Sequence, residues 1–142
     1  MRISKYSASA NADSERQRGV LVSVLVWTAV VLIGGAGSVL RFYVDGLVSA
    51  ASGRDFPYGT LVVNLSGAVI LGLLAGLALA GDAALLAGTA AVGSYTTFST
   101  WMLETQRLTE ERQHRKAALN IVVSLVLGVA AAALGRLIGG HL

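Results

Sequence analysis

The run VLVSVLVWTAVVLIGGAGSVL, residues 20–40, carries no charged side chain. An α-helix needs about 20 predominantly apolar residues to cross the hydrocarbon of a bilayer. The run meets that length, so it reads as a first membrane span. Arg2, Lys5, Arg16 and Arg18 precede it, an order that a cleaved signal peptide shares. The run is longer than the core of such a peptide and lacks a clear small-x-small exit, which favours the span. Residues 1–19 are polar and rich in Ser and Ala and are read as a disordered tail.

The rest of the chain extends this reading. Of 142 residues, 54% are hydrophobic and 13% charged, against about 25% charged in soluble domains. Mean hydropathy is +0.67. Three further apolar segments, at about 58–80, 83–103 and 117–138, follow the first. Between them lie a connector at 41–57 with Arg41, Asp45, Arg54 and Asp55, a tight turn at Gly81-Asp82, and a charged loop at 104–116. Pro57, the only proline, is placed to open the second span. The expected fold is therefore all-α: one bundle of four transmembrane helices over residues 20–142, multi-pass in the cell membrane. Cysteine is absent, which removes disulfides and thiolate metal sites. The net charge is +3, and the basic residues sit at segment ends. There they suit lipid headgroups, and no nucleic-acid partner is expected.

With four spans, one membrane face carries Arg2, Lys5, Arg16, Arg18 and Arg136, and the other Arg41, Arg54, Arg107, Arg112, Arg115 and Lys116. Lys/Arg bias normally fixes orientation, and here it is nearly balanced. Either the chain inserts both ways, or its N-terminal tail or cellular context decides. Ala68, Gly72, Gly76 and Ala80 recur every four residues, and Gly135 and Gly139 repeat that spacing. Such spacing lets helix backbones approach closely, in a compact or dimeric bundle.

The expected spans hold no Asp or Glu away from their ends. Proton-coupled transporters usually need an intramembrane carboxylate, so this argues against a proton/drug antiporter. Away from their ends the later spans hold neutral, donor-rich residues: Thr60, Asn64, Ser66, Thr89, Asn120, Ser124 and the stretch GSYTTFSTW, residues 93–101. Thr60 and Asn64 share a helix face, as do Asn120 and Ser124. Such groups serve either as glue between helices or as the lining of a transport pathway. Gly93 and the poor helix formers that follow predict a break in the third helix. Broken helices often place ion sites. A cation held by carbonyls and an anion met by N–H and O–H donors both fit.

Three blocks resemble the CrcB/Fluc fluoride-channel family: GGAGSVLRF (34–42), FPYGTLVVN (56–64), which follows the pattern FPxGTLxVN, and GSYTTFST (93–100), which is similar to GGxTTFST. The resemblance covers roughly residues 20–140. It implies a channel rather than an enzyme, built as an antiparallel, dual-topology homodimer with two pores. It also implies a structural, untransported sodium ion at the dimer centre, held by the backbone carbonyls of Gly93 and Thr96 from each subunit. The fluoride pathway would take Asn64 as amide donor with Thr60 one turn before it. Phe98 would offer a positive ring edge, and Ser99, Thr100 and Ser124 would offer hydroxyls. Arg41 would raise the potential for anions at a vestibule. Three positions depart from the family pattern. Trp101 stands where a second phenylalanine is common, Asn120 where tyrosine is frequent, and Ser94 in place of the second glycine. Trp101 and Asn120 are retained as pathway candidates. Some family members pair non-identical subunits, so a paralogous partner is an alternative to the homodimer. A coupled small-ion transporter and a non-conducting structural subunit are the competing classes. His114 and His141 are expected to be exposed, Trp27 to face lipid or pack, and Arg112, Arg115 and Lys116 to anchor in headgroups.

Overall fold

The computed structural model describes residues 2–53 and 55–142, with side chains from residue 15 onward. Arg54, counted above among the charges of one membrane face, lies outside the described residues. Regular structure among them is wholly helical: α1 (Arg2–Ser52), α2 (Tyr58–Gly76), α3 (Gly81–Ala84), a π-helical stretch (Leu85–Val92), α4 (Gly93–Tyr95), α5 (Ser99–Glu110) and α6 (His114–Gly140). Three segments, Glu15–Ser52, Tyr58–Gly76 and His114–Gly140, are long and apolar enough to cross a membrane. The third apolar segment of the sequence is assembled from short pieces instead.

Helix boundaries differ from expectation in four places. Helix α2 ends at Gly76, short of residue 80, and Gly81 and Asp82, expected as a tight turn, open α3, so the chain turns at residues 77–80 instead. Helix α1 starts at Arg2, across the residues read as a disordered tail. Residues 2–18 contain neither Gly nor Pro, and a helix already formed extends far more readily than a new one nucleates. Helix α1 also continues through the expected connector to Ser52, ending where Gly53 takes φ +78. Arg41 and Asp45 are thus helical residues, four apart on one face. Finally, the expected loop at 104–116 is mostly helix. Only Glu111–Gln113 turn, with Arg112 at φ 60. Its Glu, Gln, Arg and Leu are good helix formers, and Arg107 pairs with Glu104 at 2.9 Å and Glu111 at 3.8 Å along the helix.

The opening of α2 agrees with expectation. Pro57 directly precedes it, and Leu61 N donates to Pro57 O at 3.1 Å. At the other end the chain turns through two left-handed residues, Ala78 (φ 51) and Gly81 (φ 59). Glycine bears this conformation freely, whereas an L-residue with a Cβ loses about 1 kcal/mol or more. Ala78→Gly is therefore expected to raise the thermal unfolding midpoint in detergent by a few degrees.

Helix α2 is central. It packs on α1 and α6 and touches the π-helical stretch, α4 and α5. Its partnership with α6 is a glycine lock. A Cβ on Gly72 or Gly76 would strike the α6 backbone at Ala132 or Arg136, and one on Gly135 or Gly139 would strike the α2 backbone at Val69 or Leu73. The small-residue stripe thus packs within the chain. The pairs advance together along both helices, so α2 and α6 run parallel. The π-helical stretch runs parallel to α1, with Gly34 beside Ala90 and Gly37 beside Ala91 and Ser94. Large apolar side chains such as Leu25, Val31, Val39 and Val129 remain exposed along α1 and α6, as suits contact with hydrocarbon.

Candidate functional site

The third apolar segment breaks within GSYTTFSTW. Helix α4 ends at Thr96, whose backbone is extended (φ −79, ψ 163), and α5 starts at Ser99. Buried Thr97 organises the gap. Its Oγ1 accepts from Thr100 N at 3.2 Å and meets Thr100 Oγ1 at 3.1 Å and Ser99 Oγ at 3.3 Å. The first of these bonds satisfies an orphan donor of α5, as an N-cap hydroxyl does.

Thr97 is in turn held from α2. Asn64 Nδ2 donates to Thr97 O at 2.9 Å, and Thr97 N donates to Asn64 Oδ1 at 2.8 Å. One side-chain amide therefore satisfies both backbone groups of a residue that no helix serves. The Asn64 amide has two N–H bonds, and this clamp uses one. Above the break, Ser94 Oγ donates back to Ala90 O and Ala91 O, while Tyr95 OH and Ser66 Oγ share a hydrogen bond of 2.9 Å. A side chain at Gly37 would strike Ser94, and one at Gly67 would strike Thr96. Two glycines thus let α1 and α2 close around the break.

Two pockets open on either side of the clamp. The first, about 310 Å³, is lined by Arg41, Phe42, Asp45, Thr60, Val63, Thr97 and Thr100. The second, about 280 Å³, is lined by Asn64, Gly67, Ala68, Leu71, Thr96, Thr97, Phe98 and Trp101. Thr97 alone lines both. The expected residues therefore divide: Arg41, Thr60 and Thr100 share one pocket, while Asn64, Phe98 and Trp101 share the other. Phe98 is 71% exposed and meets Trp101 edge to face, with centroids 5.5 Å apart and planes at 62°. Ser99 lies beside Thr97 and lines neither pocket.

Asn120 and Ser124 also line neither. Asn120 is 1% exposed, enclosed between α5 and α6, with its Nδ2 donating to Thr105 Oγ1 at 2.9 Å. Ser124 Oγ reaches Asn120 Oδ1 at 3.5 Å. Of the residues given minor roles, Trp27, Arg112, Arg115, His114 and His141 are exposed and Lys116 is half-buried.

Sequence reading passed over Thr97 and Asp45. The signal for Thr97 was present, a threonine three residues before Thr100 at the start of a helix. Asp45 falls in the expected connector, and only the continued helix brings it to the pocket of Arg41 and Thr60.

Gly93 and Thr96 flank the break. Gly93 keeps helical angles (φ −63, ψ −34) and is exposed, whereas the extended backbone at Thr96 turns its carbonyl out of the helical direction. Among the described residues no three His, Cys, Asp or Glu side chains cluster to hold a metal. Gly93 and Thr96 both offer neutral carbonyl oxygens, the kind of donor that suits a hard monovalent cation, but only that of Thr96 lies at an unwound point of the helix.

Residues 28–136 match the protein family described as CrcB-like protein, Camphor Resistance (CrcB). The chain is 69% identical over 116 residues to Fluoride-specific ion channel FluC 2 of Mycolicibacterium paratuberculosis, covering 82% of this chain and 95% of that one. It is 66% identical over 115 residues to Fluoride-specific ion channel FluC 2 of Mycobacterium tuberculosis, covering 81% and 91%. It is 40% identical over 120 residues to Fluoride-specific ion channel FluC 1 of Leifsonia xyli, covering 82% and 88%.

Proposed function

Because the chain belongs to the CrcB family, we propose that it is a fluoride-selective channel of the cell membrane that lets cytoplasmic fluoride leave passively. The observation that carries this reading is the Asn64–Thr97 clamp, which sets two donor-bearing pockets back to back. Fluoride is small and strongly hydrated, so a selective path must replace its water with closely placed donors. Arg41 draws the anion to the first pocket by its charge. Thr60 and Thr100 offer hydroxyls there, and the second N–H of Asn64 and the edge of Phe98 follow on the other side. Ser99 and Ser124 extend the donor set once a second copy is in place.

In this reading the π-helical stretch, α4 and α5 together complete a fourth crossing, and two copies assemble in opposite orientations. The near-even charge count of the two faces supports insertion both ways. The carbonyls of Gly93 and Thr96, given by each copy, would hold a structural sodium ion that ties the two broken segments together. The second reading is a pair of non-identical subunits. It draws support from the numbered names of the relatives, FluC 1 and FluC 2.

Purified chain in liposomes, with no proton or sodium gradient, is expected to release fluoride and retain chloride. A silent, well-reconstituted chain would sink the homodimer, and efflux only after a paralogue is added would establish the paired form. Flux that requires a gradient would mean a coupled transporter, with Asp45 the first carboxylate to examine.

A further inference from the structure

Phe98 meets the ring of Trp101, and Trp101 is tied to the α5–α6 contact by a closed circuit. Its indole Nε1 points to the backbone carbonyl of Asn120 at 3.5 Å. Asn120 Nδ2 donates to Thr105 Oγ1 at 2.9 Å, and Thr105 Oγ1 donates to Trp101 O at 2.8 Å. Asn120 is 1% and Thr105 6% exposed, and neither lines the pockets on either side of the clamp. A buried amide between two helices is costly unless its partners are in place. The circuit therefore holds α5 against α6, and with it the α6 backbone carbonyl that the indole meets.

Resting on the channel reading above, we infer that Thr105 and Asn120 are positioning residues: they fix the Trp101 ring, and through it the Phe98 edge that meets fluoride. Asn120 thus acts from behind the aromatic pair rather than on the ion. Phe98 is 71% exposed, so the packing of its own chain does little else to orient it.

The test uses the full chain with Trp27→Phe, which leaves Trp101 as the sole tryptophan. Thr105→Val removes the hydroxyl at nearly constant shape, and Thr105→Ser keeps it. In liposomes Thr105→Val is expected to lower fluoride efflux about tenfold, the size of one lost buried hydrogen bond. It should also shift Trp101 emission, while Thr105→Ser retains both wild-type values. Trp101→Phe keeps a ring but drops the N–H and should lose a similar factor. The double variant Thr105→Val/Trp101→Phe should be no worse than either single, since one acts through the other. Equal efflux from the Val and Ser variants, or losses that multiply in the double variant, would overturn the inference. If the parent chain passes no fluoride, the channel reading itself fails. The emission of the Val and Ser variants then decides the positioning role alone, and identical spectra overturn it.

Discussion

Asn64→Ala is expected to reduce fluoride efflux by about two orders of magnitude while leaving the chain folded. The alanine removes both bonds to Thr97, at 2.9 and 2.8 Å. It strands a buried peptide N–H and C=O where no helix can take them up. Two lost hydrogen bonds with an unsatisfied buried donor amount to about 3 kcal/mol, which is about a hundredfold in a rate or an equilibrium. The effect should fall on conduction because the long packing surfaces lie elsewhere, between α2 and α6 and between α1 and its neighbours. Efflux from liposomes, measured on protein that elutes as a single species, checks this. Wild-type efflux from Asn64→Ala would show that the clamp is not part of the ion path.

Gly135→Leu is expected to prevent folding altogether. A single added Cβ already meets Val69 O and Leu73 N of α2, backbone atoms that cannot swing aside. Gly135→Ala should lose about 1–3 kcal/mol as the helices part, and the larger leucine should keep them from docking. In a bilayer, lipid tails solvate apolar side chains as well as a neighbouring helix does, so close packing carries the association. Gly128 provides the contrast on the same helix. Nothing lies within 4 Å of the place its Cβ would take, and Gly128→Ala should elute and melt like the wild type. The two profiles in detergent separate a lock from an incidental glycine.

Much of the architecture was legible because bilayer thickness is a strict ruler. The charge-free run at 20–40 and the apolar segments that became α2 and α6 could be read by length alone. Charge was a poorer guide to where helices stop. Arg41, Asp45 and Glu104 to Glu110 were placed in loops because they are polar, yet helix propensity does not track polarity. The break in the third segment was legible from Gly93 and the hydroxyl run that follows. Which hydroxyl organises it was not. Thr96, Thr97, Ser99 and Thr100 look alike on paper, and only the docking of α2 singles out Thr97. The packing of Asn120 was not legible for a related reason. Its spacing from Ser124 gives a shared helix face, but spacing cannot say whether that face meets a pocket or the back of Trp101.

The π-helical stretch at Leu85–Val92 has a consequence for rotational phase. In an α-helix each residue turns the chain by about 100°, and a wider turn uses an extra residue to cover the same arc. The eight residues of this stretch therefore set the angle at which everything after Val92 emerges. Ser94 meets Gly37, Thr96 meets Gly67 and Thr97 meets Asn64 because the segment arrives with that angle. The aim of the broken segment is thus decided a full turn or more before the break, by a run of Leu, Ala, Gly, Thr and Val that makes no hydrogen bond to the clamp.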